Sequence, residues 1–140
     1  MTDRTLRAAL GALCLAGATV AGYVLAARWG DAQLLCSTGG CETVQSSAYA
    51  DVLGVPVAAL GLAAYAAILG TAFSGGARAR VAGAAVALSA GLFSAYLLVV
   101  QVAILDAVCD WCVANDAIVS LVAITALLRL HGAPLVRAQA

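Results

Sequence analysis

Four apolar runs, separated by polar stretches too short to fold alone, constrain this chain more than any other feature. Residues 8–27, 57–73, 81–105 and 111–128 are each close to the roughly 20 apolar residues that a membrane-crossing helix needs. Of the 140 residues, 64% are hydrophobic and 10% charged, where soluble domains carry roughly 25% charged residues. A soluble fold is therefore excluded. The expected architecture is an all-α integral membrane protein, a bundle of four transmembrane helices forming a single membrane domain over 1–140. The first run could be read as a signal peptide, but it exceeds the roughly 7–15 residues of such a segment, so a first span is expected. Gly11, Ala12, Gly17, Ala18, Ala21 and Gly22 along it would let a neighbouring helix approach closely.

Charge fixes the expected orientation. All seven basic residues are Arg. Arg4, Arg7, Arg78, Arg80, Arg129 and Arg137 fall on one side of a four-span layout. The other side holds only Arg28, together with Asp31, Glu42, Asp51, Asp106 and Asp110. Basic loops stay in the cytoplasm, so a multi-pass protein of the inner (plasma) membrane is expected, with both termini cytoplasmic. The net charge is zero, and no nucleic-acid partner is indicated. The long polar loop, 28–56, then faces outward. In it Val44, Ala48, Tyr49, Val52 and Leu53 recur at helical spacing, predicting a short amphipathic helix on the membrane surface. Ser46 and Ser47 would cap its start, Gly54 would end it, and Pro56 suits the first turn of the second span.

Of the five cysteines, Cys14 lies inside an apolar run and reads as a small buried hydrophobe. The other four form two pairs on the outward side. Cys109-Asp110-Trp111-Cys112 stands where a polar turn passes into the last span, and a helix start favours the thiolate. Cys36 and Cys41 flank Gly39-Gly40 on a flexible loop. The arrangement reads as a relay in which a mobile pair meets a soluble partner and a fixed pair meets something in the bilayer, by thiol–disulfide exchange. Two other readings stay open: static structural disulfides on a non-catalytic tetraspan scaffold, and a four-cysteine zinc site. An oxidising compartment argues against the metal, and none is expected.

The sequence offers no recognisable flavin, haem or nicotinamide site, and His131, the only histidine, falls on the cytoplasmic side. A lipid-soluble quinone, by contrast, needs only an apolar pocket and one or two polar groups. Asp116 is four residues beyond Cys112, on the same helix face and one turn deeper. Acidic residues inside spans mark functional sites by default. Asn115 could donate to a carbonyl, and Gln101 is a weaker candidate near the outer end of the third span. Trp111 reads as an interfacial anchor or a wall of the pocket. Tyr49 and Tyr65 have similarly mixed readings.

Three segments together resemble the vitamin K epoxide reductase family in its compact bacterial form. They are Cys41-Glu42-Thr43-Val44-Gln45-Ser46-Ser47-Ala48-Tyr49-Ala50, then Gly54-Val55-Pro56-Val57-Ala58-Ala59-Leu60-Gly61-Leu62-Ala63-Ala64-Tyr65, then Cys109-Asp110-Trp111-Cys112. The resemblance implies a four-helix bundle around a quinone, menaquinone or ubiquinone. It makes Cys109 and Cys112 the redox pair, with Cys112 beside the quinone, and Cys36 and Cys41 the loop shuttle. Ser47 matches the loop serine six beyond the second shuttle cysteine. It also implies oxidation of a thioredoxin-like disulfide donor outside the cytoplasm, expected here as a separate protein because the chain leaves no room for a fused domain. Two positions depart from the animal enzymes. Asp116 stands where they have a tyrosine, and Val57-Ala58-Ala59 where they use an asparagine. A thiol-driven epoxide or quinone reductase is the alternative activity.

Overall fold

The computed structural model describes residues 1–132. The expected cytoplasmic tail with Arg137 lies outside the described residues. Among the described residues five α-helices follow in order: α1 (Asp3–Trp29), α2 (Cys41–Gln45), α3 (Val57–Phe73), α4 (Ala77–Ala103) and α5 (Asp110–His131). Three of them, α1, α4 and α5, are long and apolar enough to cross a membrane, while α3 is apolar but only 17 residues long. The four long helices pack in the cyclic order α1, α3, α4, α5.

Cross-helix neighbours set the directions. Gly11 faces Leu69, Gly17 faces Tyr65 and Gly61 faces Ala21, so α1 and α3 run antiparallel. Gly91 meets Ala123, and Ser94 meets Asp116, so α4 and α5 do the same. The core between them is built from Leu10, Cys14, Tyr65, Ile68, Ala87 and Val122. Cys14 is buried there, as its apolar surroundings implied. Gly17 has no room for a Cβ because the Tyr65 ring lies against it. One expected small-residue contact thus admits an aromatic ring rather than a backbone.

At one end of the bundle a single carboxylate serves three guanidinium groups. Asp3 pairs with Arg7 at 3.1 Å, Arg80 at 3.7 Å and Arg129 at 3.1 Å. Arg129 is 3% exposed and also donates to the carbonyls of Thr71, Ala72 and Ser74 at the end of α3.

The loop at the other end departs from expectation. No single amphipathic helix runs from Val44 to Leu53. Instead α2 gives way to a 3-10 turn over Ala48–Ala50, then to a hairpin of β1 (Asp51–Val52) and β2 (Val55–Pro56). Two local causes are visible. The hydroxyls of Ser46 and Ser47 donate back to the carbonyls of Glu42 and Val44, and such bonds compete with helix propagation. These serines therefore end a helix where they were expected to cap one, and Ser47 makes no side-chain capping bond to the 3-10 turn it precedes. Beyond them, Leu53 and Gly54 both take positive φ, 52° and 83°, the backbone a two-residue hairpin turn requires.

Candidate redox site

The fixed pair sits where the sequence places it. Cys109 is the N-cap of α5, and its Sγ accepts the Cys112 N–H at 3.3 Å. Gln101, 2% exposed near the end of α4, holds Cys109 from behind: its Oε1 accepts the Cys109 N–H at 2.9 Å. Cys109 and Cys112 are free thiols, while Cys36 and Cys41 are joined as a disulfide with a Cα–Cα distance of 6.0 Å. Cys41 and Cys109 are buried in one apolar cluster, with Cys36, Cys112 and Trp111 packed against it. All four sulfurs thus gather at one end of the bundle. The two pairs differ in access: Cys36 is half-buried, and Cys41 is 1% exposed.

The two residues between the fixed cysteines bind the loop down. One oxygen of Asp110, Oδ2, accepts the Ser37 N–H at 2.7 Å, the Ser37 hydroxyl and the Thr38 N–H at 3.3 Å. The Trp111 indole N–H donates to the Leu35 carbonyl at 2.6 Å, and its ring packs on Tyr23 at 4.6 Å between centroids. The Thr38 hydroxyl donates to the Val108 carbonyl at 2.6 Å. Beside these bonds Gly40 lies so close to the Val108 backbone that no Cβ fits.

Hydrogen bonds also set the charge state of Cys109. Its thiol is drawn down to about 7, first by the hydrogen bond from the Cys112 thiol. The backbone N–H groups of Cys112 and Trp111 and the side chain of Gln45 act in the same direction, against the opposing cost of burial. Gln45 was not singled out in the sequence. Its amide lies 3.3 Å from Cys112 Sγ and 3.9 Å from Cys109 Sγ. The available signal was its position four residues after Cys41, on the same face of α2.

Inward of Cys112 a cavity of about 510 Å³ opens between the four long helices. Its walls are mostly apolar, and Asn115, Asp116, Ser47, Gln101 and Trp111 all reach it, so the five expected cofactor contacts share one space. Their bonds divide them. Asn115 Oδ1 accepts the Tyr65 hydroxyl at 2.9 Å, which leaves its amide N–H groups to donate. Asp116 Oδ1 accepts the Ser94 hydroxyl, while its buried Oδ2 has no hydrogen-bond partner among the described residues. The Ser47 hydroxyl donates to the Val44 carbonyl, and Gln101 Oε1 accepts the Cys109 N–H. Tyr65 and Ser94 enter the site as the partners of Asn115 and Asp116. Ser94, a polar residue in an apolar span, was the clue to one of these pairs.

An apolar helical bundle with two cysteine pairs at one rim and a cavity beneath them defines a membrane thiol oxidoreductase. The vitamin K epoxide reductase family model matches residues 8–127, and the chain belongs to that family. No curated protein matches it.

Proposed function

We propose that this protein is a disulfide-generating oxidase with four membrane spans, α3 being the fourth, and with both cysteine pairs outside the cytoplasm. A separate thioredoxin-like protein delivers its dithiol to the loop. Cys36, the more accessible loop sulfur, is the one its thiolate attacks. The bond between Cys36 and Cys41 breaks, and the pair leaves Cys41 as a thiolate beside Cys109. The partner's second thiolate closes the mixed disulfide onto itself, which releases the oxidised partner and frees Cys36 as a thiolate. With Cys109 and Cys112 joined as a disulfide in the preceding turnover, Cys41 attacks Cys109, the Cys109–Cys112 bond breaks to leave Cys112 as a thiolate, and Cys36 then attacks Cys41 to free Cys109. This restores the closed loop pair and the free fixed thiols seen in the structure. The single observation that carries this reading is the burial of Cys41 and Cys109 in one cluster, with Cys112 lining the cavity next to it.

The cavity fits a quinone headgroup. Its volume is within the range of about 300–1,000 Å³ usual for small-molecule sites, and it offers the Asn115 amide and an unpartnered Asp116 oxygen in apolar walls. A quinone held there, menaquinone or ubiquinone, would supply a two-electron, two-proton acceptor for the Cys109/Cys112 dithiol. Cys112 faces the acceptor, Asn115 and Asp116 orient it, and Trp111 with the strapped loop keeps water from the sulfurs.

The test is the redox state of the four outer cysteines in membranes, read by thiol trapping with and without quinone. After mild reduction, quinone is expected to restore both disulfides. Cys112→Ala is expected to abolish quinone reduction by a reduced partner, and Cys14→Ala to leave it intact. Static disulfides that fail to re-form on adding quinone would identify a scaffold instead. Turnover with an epoxide as acceptor would identify the thiol-driven reductase.

A further inference from the structure

Gln45 lies on the last turn of α2, and Cys41 lies on its first. Its backbone carbonyl accepts from Arg28 Nη1 at 3.3 Å, and Arg28 is held in turn by Asp51 at 2.6 Å. Arg28 is the lone basic residue of this end among the described residues, and its pairing with the hairpin fixes the backbone from which the Gln45 side chain projects. That side chain reaches the cavity. Its amide nitrogen lies within bonding distance of Cys112 Sγ, 3.3 Å, and near Cys109 Sγ, 3.9 Å. An amide N–H has nothing to gain from a thiol sulfur comparable to what it gains from a thiolate, because hydrogen bonds to ionised acceptors are about twice as strong as neutral ones.

We propose that Gln45 is a third functional partner of the Cys109/Cys112 pair, donating to whichever sulfur carries the negative charge and holding that charge toward the cavity. The lowered Cys109 thiol, to which the Gln45 side chain contributes, is consistent with this role. Because Cys41 and Gln45 sit one helical turn apart, the same short element that presents the loop sulfur also presents the donor. This inference rests on the proposed relay, but the property it concerns, ionisation of the fixed pair, can be read without any acceptor.

The measurement uses the full-length protein in lipid nanodiscs, reduced with dithiothreitol and desalted. Iodoacetamide alkylation of the peptide containing Cys109 and Cys112 is followed by mass spectrometry against pH. Gln45→Leu removes the donor at similar volume, and Gln45→Glu keeps the shape but sets a carboxylate beside the sulfurs. Both leave the backbone carbonyl that Arg28 binds. In Gln45→Leu the alkylation midpoint is expected to rise by about one pH unit, a tenfold loss of thiolate below it. Gln45→Glu is expected to rise at least as far. Raising the pH should restore the Gln45→Leu rate to that of the unaltered protein. Unchanged midpoints in both variants, or a loss of rate that is uniform across pH, would overturn the proposal. Quinone reduction by the unaltered protein is assayed alongside. If it is absent while the midpoints shift, the relay fails and the role of Gln45 stands.

Discussion

Cys109 is the sulfur on which donors converge. The Cys112 thiol, two backbone N–H groups and the Gln45 side chain all point at it, while Gln101 fixes its main chain. A thiolate is the attacking species in disulfide exchange, so the fixed pair should be competent near neutral pH. The sign follows from the direction of the shift. Cys109 is lowered to about 7, so its thiolate dominates above that value and is lost as pH falls through it. Exchange between the fixed pair and a small disulfide such as oxidised glutathione should slow about tenfold per pH unit below the midpoint and flatten above it. Stopped-flow kinetics on the reduced protein check this, and a profile still rising steeply through pH 8 would contradict it. The cysteines were legible in the sequence because their spacing and the helix start are local features. Asn115 and Asp116 were legible as polar residues in an apolar run. Their partners Tyr65 and Ser94 come from other helices, and only the rotation of each helix in the bundle decides that they meet.

Between the two cysteine pairs, the connection is an element-level construction. The loop over residues 35–38 is strapped to the start of α5 by Asp110 and Trp111 and to the turn before it by Val108, and Gly40 permits the close approach. Replacing Gly40 by Ala forces a Cβ into the Val108 backbone, and the backbone has no flexible end to yield. The loop should lift from the turn. Transfer from the loop pair to Cys109/Cys112 should then slow by about tenfold, a loss typical of small misplacements of reacting groups. Reduction of a soluble quinone by a directly reduced fixed pair should change little. Single-turnover assays that start from either pair separate the two steps, and equal slowing of both would mean that Gly40 serves the whole rim. This strap could not be read from the sequence, because it joins residues about seventy positions apart. The helical reading of 44–53 failed for a related reason. Apolar spacing alone does not reveal serine hydroxyls turning back on their own carbonyls, nor a leucine accepting a left-handed backbone in a tight turn.

For the molecule as a whole, the four apolar runs announced the four helices of the bundle before any contact was known, and three of these helices are long and apolar enough to cross a membrane. Missing from that picture was how the shortest of these four helices, α3, is finished at its C-terminal end. At 1.5 Å per residue, the 17 residues of α3 reach about 26 Å, short of the roughly 30 Å hydrocarbon core. The last carbonyls of any helix have no partner within it. Arg129 answers this from α5. Its guanidinium donates to Thr71, Ala72 and Ser74 and is neutralised by Asp3 of α1, so one side chain ties three helices at the end opposite the sulfurs. Arg129→Leu should remove these donors and leave Asp3 with its partly exposed partners Arg7 and Arg80. The expected cost is about 2–3 kcal/mol, in the range for unsatisfied buried polar groups. It should be visible as a lower unfolding midpoint in detergent while the fixed pair keeps its pH dependence. Arg129→Lys should recover only part of the loss, because an ammonium cannot present the planar fork that spans several carbonyls. Full recovery by Lys would reduce the role of Arg129 to its charge, and a change in the pH profile of the distant thiols would mean that the two ends of the bundle are coupled.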